Sequence, residues 1–67
     1  MKTVQVHRYH VDEKRISPYY VEINTDIDTN DRVMRLYGLQ FGYAMEKISD
    51  NVYENQYGEA YTVIRNA

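Results

Sequence analysis

The chain has 67 residues, with 8 lysines plus arginines against 10 aspartates plus glutamates, and a net charge of −2. This length predicts a single domain over residues 1–67, and the mixed, near-neutral charge argues against a polybasic nucleic-acid binder. Cysteine is absent, which excludes disulfides, and no apolar run approaches the roughly 18–20 residues of a membrane span. We therefore expect a soluble, cytoplasmic domain with no membrane partner.

The chain begins with a strand candidate. In residues 2–11, Val4 and Val6 share one face, whereas Tyr9 falls on the other parity. A strand cannot change its apolar face without a bulge or an end. We therefore expect either a bulge near residues 7–8 or partial cover on both faces of this strand.

A polar loop and a second strand follow. Residues 12–18 end in Ser-Pro and predict a hairpin connection. Residues 19–25, YYVEINT, alternate cleanly and predict a half-buried strand. The run 4–23 resembles the opening hairpin of the ferredoxin-like domain in succinate dehydrogenase iron–sulfur subunits. The resemblance implies a hairpin packed on a helix. The cluster cysteines of that family have no counterpart here, so its chemistry is not implied.

The middle of the chain predicts one long helix. Asp28 or Thr29 can cap its start, and Asp31 suits the positive end of the helix dipole. The helix is expected to run over residues 30–48 and to stop at the polar residues 49–51. At about 100° per residue, one arc carries no charge and predicts the core face. The residues of this arc are Val33, Met34, Tyr37, Gly38, Phe41, Ala44, Met45 and Ile48.

A second apolar group lies on the opposite side of the predicted helix. Leu36, Leu39 and Tyr43 form a ridge there. Because apolar patches rimmed by charge often mark partner sites, we expect a protein partner or a second copy to bind this ridge. The charges expected to orient the partner are those of Arg32, Arg35 and Glu46.

Two glycines stand in the same predicted helix. Gly38 and Gly42 match the G-x-x-x-G spacing that lets two helices approach closely. The charges around them exclude a membrane helix. Gly38 lies in the core arc, where close approach of a strand backbone would explain it.

The remaining chain returns to β structure. Residues 52–54 and 60–65 are strand candidates on either side of a turn at Tyr57-Gly58. The element order is β-β-α-β, with or without a C-terminal hairpin. We therefore predict an α+β fold, a mostly antiparallel sheet of three to four strands packed against one long helix.

No set of residues predicts chemistry. His7 and His10 point in opposite directions if they lie in a strand, and they lack a third ligand. Residues 26–30 begin like a calcium-binding loop, but Asp31 stands where that loop requires glycine. A small sheet-and-helix domain also has little room for a catalytic cleft. We expect no metal, no cofactor, no small-molecule substrate and no enzymatic activity.

Single-stranded nucleic acid is an alternative partner. Tyr9, Tyr20 and Tyr61 could project from one sheet face near Lys2 and Arg8. Proteins that bind single strands stack bases on aromatic rings beside basic residues. The acidic total and the absence of an RNA-recognition pattern make nucleic acid the less favoured partner.

The function that we expect is binding without catalysis. A small, tyrosine-rich, mildly acidic domain resembles in type the accessory proteins of phages and mobile elements. Those proteins bind and inhibit larger host machines, as anti-CRISPR proteins and polymerase inhibitors do. This expectation rests on type rather than on a motif. A structural homodimer is a further alternative. The expected contact residues are Tyr9, Tyr20, Arg32, Arg35, Leu36, Leu39, Tyr43, Glu46, Tyr53 and Tyr57.

Overall fold

The computed structural model of the protein describes residues 2–65. Five strands join one antiparallel sheet in the order β2-β1-β5-β4-β3, so β2 and β3 are its edges. A single helix connects β2 to β3. The elements are β1 (Lys2–His10), β2 (Arg15–Thr25), α1 (Asn30–Phe41), β3 (Glu46–Ser49), β4 (Val52–Glu54) and β5 (Ala60–Arg65).

The predicted long helix is wrong, and with it the α+β fold of three to four strands on such a helix. The described chain is mostly sheet, and α1 has only 12 residues. Gly42 ends the helix because it adopts the left-handed conformation, with φ 73°. The N–H groups of Gly42 and Tyr43 both bond to the Gly38 carbonyl, which satisfies the end of the helix. Residues expected in the last helical turns instead form β3.

Gly38 is required by the path of the chain after the helix. A Cβ at this position would lie 2.6 Å from the Tyr43 carbonyl oxygen and 3.0 Å from Cγ of Met45. The predicted close approach of a backbone is therefore confirmed, but the approaching residue, Tyr43, lies in the loop after the helix and not in a strand. The two glycines have separate local roles, one in close packing and one in helix termination.

The core lies between α1 and one face of the sheet, which we call the helix side. Cross-strand neighbours Val4 and Ile23 belong to it, as does Val63 opposite Val6. Full burial of a side chain of this size contributes about 1.5–3 kcal/mol. The buried core residues are Val4, Val6, Ile23, Val33, Met34, Tyr37, Tyr53, Tyr61 and Val63. Of the predicted helical core arc, the exposed members are Phe41, Ala44 and Ile48.

The β1–β2 hairpin contains the predicted irregularity. The register shifts between His7 and Tyr9, where the three residues 17–19 of β2 stand opposite Arg8 alone. Because β2 has two extra residues at this point, its side chains keep the same alternation between the two faces of the sheet on both sides of the irregularity. His7 lies at this point and its Nδ1 donates to the carbonyl of Ser17 at 2.7 Å. An irregularity near residues 7–8 is therefore present, but its extra residues lie in β2 and β1 does not change its apolar face. Residues 7–10 are half-buried on both faces, which agrees with the other expectation, partial cover of both faces.

Two asparagines fix the turns on either side of β4. Asn55 accepts the N–H groups of Tyr57 and Glu59 on its side-chain oxygen, each at 3.0 Å. Asn51, at φ 56°, lies between β3 and β4 and bonds with its side-chain amide to both the N–H and the C=O of Val63. These bonds hold the short strand β4 against β5. The predicted turn at residues 57–58 is confirmed.

Candidate protein-binding surface on the helix side

A groove runs between α1 and the β3–β4 hairpin. It has a volume of about 360 Å³. Met34 and Tyr53 are its buried residues, and Leu39, Tyr43 and Met45 bring further apolar surface to it. Charged groups complete the lining. The charged residues are Asp31, Arg35 and Lys47. An apolar groove with a few charged groups at its margin is suited to one large side chain of a partner.

The charged end of the groove is held by hydrogen bonds. The Tyr53 hydroxyl donates to Oδ1 of Asp31, and Nζ of Lys47 lies 3.4 Å from the same oxygen. The bond from Tyr53 lowers the pKa of Asp31, and Lys47 lowers it further. Burial, and then Asp31 itself, raise the pKa of Tyr53. Tyr53 is therefore a neutral donor to an ionised carboxylate at neutral pH.

Five aromatic rings form a cluster at the C-terminal end of α1. Tyr37 contacts Phe41 and Tyr61, with centroid separations of 4.7 Å and 5.2 Å. Tyr43 lies 6.1 Å from Tyr61 and 6.3 Å from Tyr57. These distances are those of favourable ring packing. We call these residues, Tyr37, Phe41, Tyr43, Tyr57 and Tyr61, the aromatic cluster.

The aromatic cluster reaches from the core to the surface. Tyr61 is buried, and burial raises the pKa of its hydroxyl above the ordinary value. Phe41 and Tyr57 remain 47% and 71% exposed. Tyr43 lines the groove and also belongs to the cluster, so it joins the two apolar surfaces. The result is one continuous surface with an apolar groove at one end and exposed rings at the other.

Four of the ten expected contact residues come together in the groove. They are Arg35, Leu39, Tyr43 and Tyr53. The predicted ridge does not exist, because Tyr43 lies beyond the end of the helix and both it and Leu36 pack against the core. Leu39 alone of the three is exposed, at 76%. Tyr53 is only 4% exposed, so its ring lines the inside of the groove and is not part of the outer surface.

The other expected contact residues are spread over the molecule. Arg32 lies on the exposed side of the helix, and Tyr57 belongs to the aromatic cluster. Tyr9, Tyr20 and Glu46 lie on the opposite face of the sheet from α1, which we call the open face. Tyr20 stacks on His7 there, with a centroid separation of 4.8 Å.

The residues proposed for nucleic acid do not share a face. Tyr9 and Tyr20 lie on the open face, whereas Tyr61 faces the helix. Arg8 lies on the helix side with Tyr61, and its guanidinium carbon is 5.5 Å from the centre of that ring. Tyr9 and Tyr20 thus lie on the opposite side of the sheet from Arg8, which opposes base stacking on these two rings combined with phosphate contact at that cation.

Comparisons with family models, curated proteins and solved structures found no match to this chain. Within residues 2–65, no three side chains of the metal-binding types are grouped for a metal ion. The helix in that range is too short and too polar to cross a bilayer.

Sequence reasoning did not find the aromatic cluster. The helical arc predicts Phe41 in the core, and the pattern predicts Tyr43 and Tyr57 as separate surface residues. The sequence feature that relates these rings is a pair of glycines, Gly42 and Gly58, which both adopt the left-handed backbone conformation. The first ends the helix and the second shapes the β4–β5 turn, and together they bring rings from three segments to one place.

Proposed function

We propose that this domain is a non-catalytic protein-binding module whose partner seats on the groove and the aromatic cluster. The exposed Leu39 beside this groove is the observation that carries the proposal. Its side chain stands 76% exposed next to an apolar groove of about 360 Å³. Patches of this kind, rimmed by charge, mark interaction sites.

The composition of the surface supports the same proposal. Tyrosine and methionine are enriched at the centres of protein interfaces, and aromatic side chains supply much of the binding energy there. Tyr43, Tyr57 and Met45 meet on this side of the molecule. Asp31, Arg35 and their neighbour Lys47 would fix the orientation of the partner, because charges at an interface rim govern register more than affinity.

The proposal extends to biological role. A small domain that covers a surface of a larger machine can block it without chemistry of its own. We propose that the module inhibits a host protein machine in this way, in the cytoplasm, as a phage or mobile-element accessory protein. The cysteine-free sequence is compatible with that reducing compartment.

Affinity capture with matched variants tests the binding proposal. The baits are the wild-type domain, Leu39→Asp, and Gln40→Asp as the control, since Gln40 is exposed on the same helix but does not line the groove. We expect mass spectrometry to find a protein retained by wild type and by Gln40→Asp and lost with Leu39→Asp. If every captured protein binds all three baits equally, the groove is not the binding surface.

Sedimentation at several concentrations tests self-association with the same proteins. If the partner is a second copy of this chain, wild type and Gln40→Asp dimerise and Leu39→Asp stays monomeric. A dimer that Leu39→Asp leaves intact would place the interface elsewhere. If a partner is captured, adding the purified domain to that machine tests inhibition directly.

A further inference from the structure

The charges of the sheet are separated by face. Cross-strand neighbours point to the same side, and side chains alternate along each strand. In the described strands, every lysine and arginine therefore lies on the helix side. These residues are Lys2, Arg8, Arg15, Lys47 and Arg65. Every strand carboxylate lies on the open face. These residues are Glu22, Glu46 and Glu54.

Two of these carboxylates face each other. Glu46 of β3 stands directly opposite Glu54 of β4. Like charges in this position destabilise a sheet. The ion pairs within residues 2–65 join Arg8 to Glu59, Arg15 to Glu13 and Lys47 to Asp31, and none of them neutralises Glu46 or Glu54.

Glu54 of this pair lines a cleft of about 400 Å³ together with apolar side chains, whereas Glu46 is not part of the lining. Tyr9 and Ala60 line the cleft from the centre of the sheet, and Val11 and Ile48 line it from its two sides. Val11 and Ile48 are both nearly half exposed. Arg8 and His10, whose strand positions face the helix side, also line the cleft, as do Asp12 and Glu13 of the β1–β2 turn. The Arg8 guanidinium is paired with Glu59 at 3.3 Å.

We propose that the open face docks a basic segment of a protein partner. The lysine or arginine heads of the segment pair with Glu46 and Glu54, and their aliphatic stems cover Val11 and Ile48. Long basic side chains bury their stems along apolar surface in this way while the charge stays at the polar end. The charge complementarity selects this occupant, since the described strands carry no lysine or arginine on that face.

This surface goes beyond the proposed function, because it is a second site with its own partner chemistry. It lies on the other side of the sheet from the groove. A partner segment could belong to the protein that seats in the groove only if that protein reaches around an edge of the sheet. The two sites can therefore be tested with separate variants.

The test is an NMR titration of the isotope-labelled domain. The probe is a short peptide of alternating arginine and valine, blocked at both ends, and the control peptide has glutamate in place of arginine. We expect the arginine peptide to shift the amide signals of Thr62 and Glu54 on the open face and to leave those of Arg35 and Leu39 unchanged. The binding should weaken as salt increases.

Matched double variants separate local pairing from bulk charge. Glu46→Gln with Glu54→Gln removes the facing carboxylates, and Asp28→Asn with Asp50→Asn removes the same charge from exposed loops. We expect about tenfold weaker peptide binding for the first double variant and little change for the second. Leu39→Asp should bind the peptide as wild type does, whatever the outcome of the capture experiment.

Three results would overturn the proposal. One is the absence of shifts at millimolar peptide, and another is a set of shifts confined to the groove. The third is an equal loss of binding in both double variants, since that would show attraction to net charge rather than docking on this face. Urea unfolding of each variant establishes that the compared proteins are folded.

Discussion

Asn51 shows how one side chain can take the place of backbone pairing. Val63 is buried in β5, and its N–H and C=O both bond to the Asn51 amide, at 3.2 Å and 2.9 Å. The same Asn51 oxygen accepts from Asn30 at 3.0 Å, and Asn30 in turn accepts from Arg65. One residue thus links the turn, the central strand β5 and the start of the helix.

The amide of Asn51 should therefore matter more than its backbone conformation. Asn51→Gly keeps the left-handed backbone accessible but leaves the polar groups of Val63 without partners. We expect a loss of about 1–3 kcal/mol in the free energy of unfolding, the cost of leaving a buried polar group unsatisfied. Asn51→Ala should lose about 1–2 kcal/mol more, since alanine disfavours φ near 56°. Urea unfolding measures both, and a wild-type stability for Asn51→Gly would contradict the assigned role.

The bond between Tyr53 and Asp31 predicts a dependence of stability on pH. The folded pKa of Asp31 is lowered, so its contribution is present above the unfolded-state pKa of about 3.9 and is lost as pH falls through the folded value. Tyr53→Phe removes the main cause of the lowering. We expect wild type to be more stable than Tyr53→Phe at neutral pH, and the difference to narrow in acid.

Urea unfolding at a series of pH values, from neutral to below the unfolded-state pKa of the carboxyl, follows this difference. Tyr57→Phe is the control, because Tyr57 is an exposed tyrosine with no carboxylate bound to its hydroxyl. If the difference in the free energy of unfolding between wild type and Tyr53→Phe stays constant with pH, the Tyr53 hydroxyl does not stabilise the fold through the ionised Asp31.

At the scale of elements, the decisive feature is where α1 ends. The apolar spacing after Phe41 continues to match a helical period, which is why residues 30–48 were predicted as one helix. Ile48 in fact belongs to an edge strand, where it is exposed. Gly42 breaks the pattern through its backbone alone, and periodicity of side chains carries no information about that conformation.

The two helix glycines should respond differently to substitution. Gly38→Ala gains about 1 kcal/mol of helix propensity, but its Cβ meets the Tyr43 backbone, and such overpacking costs about 1–3 kcal/mol. Gly42→Ala meets no atom within 4 Å and is strained only by its φ of 73°. Gly42→Asn should be milder than Gly42→Ala, because asparagine tolerates that region.

Thermal or urea unfolding of these three variants distinguishes the two roles. A Gly38→Ala variant more stable than wild type would show that the returning chain moves aside and that the close approach is not needed. Equal losses for Gly42→Ala and Gly42→Asn would show that the left-handed conformation is not what sets the end of the helix.

The sequence predicted local elements better than their assembly. The pairing of the first two strands and the final strand followed from alternation, which depends on neighbours along the chain. The groove did not follow, because it forms only when α1 stops and β3 returns beside it. Leu39 was identified as exposed and apolar, but its neighbours in space, Met34 and Met45, were assigned to a core on the other side of a longer helix.

At the scale of the whole molecule, one helix covers one side of a five-stranded sheet. The helix side holds the core, and the described strand lysines and arginines lie on that side too, as Lys47 and Arg65 do. Lys47 reaches Asp31, and Arg65 reaches Asn30 and the carbonyl of Ile27, so these cations tie the sheet to the helix and its leading loop. The carboxylates of the open face have no such ion pairs within residues 2–65.

The repulsion between Glu46 and Glu54 gives the last prediction. Either Glu46→Gln or Glu54→Gln should raise the free energy of unfolding by about 0.2–1 kcal/mol, because a like-charge cross-strand pair is removed. The double variant should gain little beyond either single variant, since one substitution already abolishes the pair. Salt should stabilise wild type more than the variants, because it screens the repulsion.

Urea unfolding of the four proteins at low and high salt measures the coupling between the two glutamates. Additive gains, or a loss in either single variant, would show that the two carboxylates do not oppose each other. Gains in stability accompanied by weaker binding of the arginine peptide would show that the domain keeps this unfavourable pair for recognition rather than for folding.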